Sequence, residues 1–194
     1  MADAATRFTI DTKFSGRLSQ LEPTEENIVK SYEERKPAVD VFYIHAPCRG
    51  TPVKTSCRES IRCTKPAIGL SNFNADEVEE VIRVAGENNF VIPSVYQGNY
   101  NAISRRTETE LMLVLRKWNV ALRSMHTAQF QVDFWPKPPN NSWTYTAKMY
   151  NALYNKPCML KALAAFVQLS KDTGISQAEL AYRWLHIQLF ELER

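Results

Sequence analysis

The run VDVFYIHAP, Val39 to Pro47, ends a set of strand-forming residues in a histidine and a proline. Val39, Val41, Phe42, Tyr43 and Ile44 are β-branched or aromatic and read as a buried strand of a parallel sheet, with His45 at its carboxyl end and Pro47 stopping it. Three more segments end in polar groups: RFTIDTKF near Lys13, AIGLSNF at Ser71 and Asn72, and VIPSVYQGNYN near Gln97. Carboxyl ends of strands are where α/β proteins place their chemistry. A strand-end imidazole can donate to a developing alkoxide, and an ammonium beside a phenol favours its ionised form. Each residue also has a plain structural reading. A lone strand-end histidine is more often a hydrogen-bonded structural group, Lys13 could lie on the surface, Ser71 and Asn72 could cap the next helix, and Gln97 could be satisfied in a turn.

The elements that would position these groups alternate along the chain. Arg7 to Phe14 reads as a strand, and PTEENIVKSYEE from Pro23 as a helix start with Thr24 as cap and acidic residues in its first turn. NADEVEEVIRVAGENN is amphipathic, with Val78, Val81, Ile82 and Ala85 at helical spacing, and TETELMLVLRKWN carries Leu111, Val114, Leu115 and Trp118 on one side. Strands alternating with helices predict a parallel sheet wrapped by helices. After Asn119, VALRSMHTAQF begins like a strand and dissolves into a loop with Pro136, Pro138 and Pro139. Two helices then follow, one from Lys148 to Gly174 and one capped by Ser176, with Glu179 predicted to complete a capping box.

Composition excludes several classes. The 194 residues are 44% hydrophobic and 23% charged, which suits a globular domain with a sizeable core rather than a disordered or fibrous chain. The net charge of +3 comes from 24 basic and 21 acidic residues that are interspersed, so nothing points to nucleic acid. Cys48, Cys57, Cys63 and Cys158 include no CxxC pair, and with His45, His126 and His186 they assemble no zinc pattern. Free thiols, no signal-peptide core and no apolar run of about 20 residues give a cytoplasmic expectation without membrane contact.

The blocks DVFYIHAP, IGLSNF, IPSVYQGNYNAISRRTETEL, MYNALYNKPCMLKAL and GISQAELAYRWL resemble the aldo-keto reductases, in particular the branch of aflatoxin-aldehyde reductases and their fungal relatives. The resemblance covers most of Arg7 to Leu185. It implies an α/β (β/α)8 TIM barrel that reduces an aldehyde or ketone with NADPH, without metal. In such enzymes a tyrosine protonates the carbonyl oxygen, a lysine paired with an aspartate lowers the tyrosine pKa, and a histidine orients the carbonyl. By matching position Lys13 would be the lysine and His45 the histidine, while Ser71, Asn72 and Gln97 would hydrogen-bond the nicotinamide carboxamide. The implied substrate is a small carbonyl compound, an intermediate of fungal polyketide or terpenoid metabolism.

The chain departs from that family. Only Met1 to Thr6 precede RFTIDTKF, so the tyrosine and aspartate of the family have no matching positions. Of the nearby tyrosines, Tyr43 alternates with Ile44 and is expected to point away from the site, while Tyr96 and Tyr100 lie on another strand. A complete barrel takes about 250 residues. The sequence-level expectation is one incomplete domain over 1–194 with about five strands, lacking the first two strands and the last, and self-associating through exposed barrel edges. The alternative to a working reductase is a degenerate, non-catalytic remnant that is inert or binds a partner.

Overall fold

A computed structural model describes residues 11–14, 30, 39–47, 67–125 and 155–192. The chain divides into two compact units, Met1–Gly98 with Thr107–Arg123 and Asn99–Arg106 with Ser124–Arg194. The first is built on a five-stranded sheet in sequential order: β1 (Asp11–Phe14), β2 (Val41–Ile44), β3 (Ala67–Ser71), β4 (Val95–Asn99) and β5 (Ala121–Met125). β1 to β4 pair in parallel, with Lys13 opposite Tyr43, Tyr43 opposite Gly69 and Ser71 opposite Gln97. β5 takes the edge beside β4, where the Ala121 N–H donates to Ser94 O at 2.9 Å. The α/β class agrees with the sequence, as do the five strands among the described residues.

Strict alternation sorts the side chains of each strand between two faces. Phe14, Phe42 and Ile68 pack together on one face, and Ile44 and Leu70 meet the apolar stripe of α1 (Ala75–Glu87), contributed by Val78, Val81, Ile82 and Ala85. The other face carries Val41, Tyr43 and Val95, together with Lys13 and Gly69. Both faces of β2 are covered, and all four of its residues are buried, which is why it reads as a continuous apolar run. On the face opposite α1 the sheet is concave. Asp11 on β1 forms an ion pair with Arg123 on β5, yet a flat sheet would hold those strands about 19 Å apart across four spacings of about 4.8 Å. Two side chains cannot span that gap, so the sheet must curl as a barrel wall does.

α1 is capped by Asn74 rather than by Ser71 or Asn72. The Glu77 N–H donates to Asn74 Oδ1, and the Asn74 N–H donates back to the Glu77 carboxylate, each at 2.8 Å. The next helical stretch is shorter than expected. A 3₁₀ turn at Arg106–Glu108 precedes α2 (Leu111–Lys117), which buries Leu111, Met112 and Leu115. Trp118 does not share that inner side: it is the C-cap, past the last turn, with non-helical backbone at φ −105° and ψ 7°, and is 38% exposed.

The second unit contains α3 (Pro157–Thr173) and α4 (Gln177–Leu192). The sequence pattern predicts a helix from Lys148; residues 148–154 lie outside the described residues, and α3 begins at Pro157. A proline disfavours helical backbone in the residue before it, and Lys156 is extended, at φ −109° and ψ 144°. Gly174, left-handed at φ 67°, ends α3. Ser176 Oγ then accepts from the Glu179 N–H at 3.2 Å, and the Glu179 carboxylate pairs with Arg183. The expected helix from Pro23, other than Lys30, and the proline-containing loop after β5 lie outside the described residues. Among the described residues no helix is long and apolar enough to cross a membrane.

Candidate active site

Parallel pairing fixes the order of the polar groups along one rim. The His45 N–H donates to Phe14 O at 3.1 Å, so β1 and β2 end side by side and Lys13 and His45 lie at the same end of the sheet. Asn72, in the left-handed region at φ 63°, turns its side chain back across the strand ends. Its Nδ2 donates to His45 O at 2.8 Å and to Ser71 Oγ at 3.2 Å. Asparagine tolerates this backbone because its short polar side chain bonds locally. Ser71 is buried at the end of β3, and its register partner Gln97 carries a buried Oε1 without a hydrogen-bond partner. All five residues singled out from the sequence therefore stand at the carboxyl ends of four consecutive strands.

The electrostatics of the rim follow from burial. His45 has its pKa lowered, first by desolvation and then by the positive charge of Lys13. The imidazole is therefore held towards its neutral form, which has one N–H to donate. Lys13 is also lowered by burial, with Asp11 opposing the shift. Its ammonium lies 5.7 Å from the centroid of the Tyr43 ring.

The structure corrects the expected direction of Tyr43. Residues 43 and 45 have the same parity, so Tyr43 faces the same side as Lys13 rather than away from it. Its ring is fully buried and covers Gly69 so closely that a Cβ there would come within 2.4 Å of ring carbons. Burial, followed by the charge of Asp11, pushes the Tyr43 phenol up to about 12. Asp11 and Arg123 are near enough to act on the hydroxyl, but among the described residues no group stands in good hydrogen-bonding geometry to it. Tyr96 faces the other way, donates to Phe73 O at 2.7 Å, and is likewise raised to about 12 by burial. Sequence reasoning missed Asp11, Gly69 and Arg123. For Asp11 and Gly69 the available signal was a spacing of two from Lys13 and Ser71; no local pattern marks Arg123.

A curled parallel sheet with helices on its outer side and a polar rim at its carboxyl ends defines an α/β-barrel type of site. The sequence profile described as the Aldo/keto reductase family matches residues 2–188, and the chain belongs to that family. It is 29% identical over 199 residues to Oxidoreductase sirO of Leptosphaeria maculans, covering 94% of this chain and 60% of that protein. It is 33% identical to human Aflatoxin B1 aldehyde reductase member 2, covering 79% of this chain and 48% of the relative. Aldo-keto reductase pigE of Monascus ruber is 26% identical, with 77% and 48% covered. Among solved structures, a glycerol dehydrogenase from Gluconobacter oxydans superposes with a TM-score of 0.66 at 20% identity, over 91% of this chain and 59% of that one, and shares the fold. The chain thus spans about half of the length of the curated relatives it matches.

Proposed function

We propose that the protein is an NADPH-dependent reductase of an aldehyde or ketone. The observation that carries this reading is the convergence of Lys13, His45, Ser71, Asn72 and Gln97 on one rim, with Gln97 Oε1 buried and unpartnered. A nicotinamide carboxamide fits that orphaned acceptor. Its N–H would donate to Gln97 Oε1, and its oxygen would accept from Ser71 Oγ, which receives Asn72 Nδ2 and keeps its own proton to give. When bound, the cofactor supplies hydride. Asn72 fixes the rim by tying the His45 carbonyl to Ser71. The neutral His45 imidazole donates to the substrate carbonyl oxygen and stabilises negative charge as it develops there, and Lys13 adds a positive field. The small carbonyl substrate belongs to fungal secondary metabolism by likeness to the fungal oxidoreductases, and a cytoplasmic location is part of the same proposal.

A second reading, a degenerate remnant without turnover that is inert or binds a partner, is favoured by one observation. The two phenols of the sheet, Tyr43 and Tyr96, are buried with pKa values pushed up to about 12, and Tyr96 is committed to Phe73. Neither meets the pKa match that an efficient proton donor needs near neutrality. Fluorescence titration with NADPH, followed by NADPH oxidation with 4-nitrobenzaldehyde, separates the readings. Turnover that is lost in both His45→Ala and Lys13→Met supports the reductase. NADPH binding without turnover supports the remnant, and failure of the folded protein to bind NADPH overturns the assignment of Ser71, Asn72 and Gln97.

A further inference from the structure

We propose that Tyr43 is a positioning residue, whose ring face holds the Lys13 ammonium at the rim. Three observations converge on this role. Lys13 and Tyr43 are direct partners in the β1–β2 register and project from the same face, with the ammonium 5.7 Å from the ring centroid. That distance lies within the range in which a cation is attracted to an aromatic face, and partial desolvation strengthens the attraction. Gly69, opposite Tyr43 on β3, has no side chain. The ring lies down over it, since a Cβ at 69 would stand 2.4 Å from two ring carbons. Finally, the ring is fully buried, and among the described residues its hydroxyl has no well-aligned partner although Asp11 and Arg123 lie near it, so it is the ring face that is turned to Lys13.

Among the described residues, the charged and titratable groups around Lys13 include Asp11 on its own strand, His45 beyond β2 and Arg123 on β5, which is paired with Asp11. Asp11 favours the ammonium but shares its charge with Arg123. Burial works against the ammonium. A quadrupole from Tyr43 adds support for the cation without introducing another anion, and it fixes where the charge sits along the rim. The consequence for catalysis rests on the reductase reading, but the contact itself does not.

The test reads Lys13 directly. Its pKa is measured by the pH dependence of acetylation at residue 13, followed by quantitative peptide mass spectrometry on the folded full-length chain. Residue 43 is replaced by phenylalanine and then by mono-, di- and trifluorinated phenylalanines, which keep the ring's shape and progressively remove the negative charge of its face. Tyr43→Phe should leave the Lys13 pKa within about 0.2 of the starting protein, and the fluorinated series should lower it stepwise, by about half a unit or more at the end. Gly69→Ala, which displaces the ring without removing it, should lower the pKa in the same direction. A Lys13 pKa that stays flat across the fluorinated series overturns the proposal. NADPH titration of the same proteins distinguishes this outcome from failure of the reductase reading, because the Lys13 shift is expected whether or not cofactor binds.

Discussion

α1 and α3 both carry apolar residues along helices of three or more turns, α1 on a sharper stripe, and they have different fates. α1 buries Val78, Val81, Ile82, Val84 and Ala85, and its inner stripe meets the strand residues Ile44 and Leu70. α3 is longer, 17 residues against 13, and buries none of them; Leu160 and Leu169 remain 44% and 47% exposed. α4 adds exposed Tyr182 and Ile187, with Ala181 buried among its described side chains. The difference teaches that helical periodicity marks the face a helix can cover, while the stabilisation comes from whatever surface meets that face. In α1 the partner is the outer side of the sheet.

The contrast breaks most directly by truncation. Ile82→Ala, at 1% exposure in α1, should cost about 2–5 kcal/mol in urea unfolding by loss of burial plus a cavity. Leu169→Ala in α3 should fall within about 0.5 kcal/mol of the parent. Equal costs would mean that the apolar face of α3 is covered in solution, as self-association would achieve, and sedimentation would show it. Glycine replacements sharpen the comparison at a smaller scale. Gly86, inside α1, has open space around it, so Gly86→Ala should stabilise by up to about 1 kcal/mol. Gly174 ends α3 at φ 67°, where Gly174→Ala should destabilise by about 1 kcal/mol despite equally open space.

The smallest effect concerns the rim and pH. The pKa of His45 is lower in the folded protein than in the unfolded chain, where imidazole titrates near 6.5. Between those two values the unfolded state binds more protons, so stability should fall as pH drops from about 6.5 through the folded value and level off below it. His45→Gln should remove that part of the slope in unfolding curves recorded between pH 7 and pH 4. A slope of the opposite sign would show that Asp11, not burial and Lys13, dominates the site.

Much of the sheet was legible in the residues themselves. Val41 to Ile44 could be read as a buried strand because every side chain there is apolar and β-favouring, and the stripe Val78, Val81, Ile82 and Ala85 marks an amphipathic helix without any tertiary information. Lys13, His45, Ser71, Asn72 and Gln97 were found because strand ends carry chemistry and these types sit at four such ends. Boundaries were less legible where one residue constrains its neighbour, as Pro157 does to Lys156.

What only the tertiary structure decided are the relations across the curl. Asp11 and Arg123 stand 112 positions apart in the chain, on opposite edges of the sheet, and no local pattern pairs them. Tyr43 could be assigned to a face by parity, but its posture over Gly69 and beneath Lys13 depends on a strand register that hydrogen bonds between distant segments establish. The sequence by itself determined which side chains alternate, where helices start and which polar groups end the strands, because those are properties of neighbours along the chain. Which charges meet, which phenol is buried and which helix face is covered were decided by packing, because those energies depend on surfaces the chain brings together only on folding.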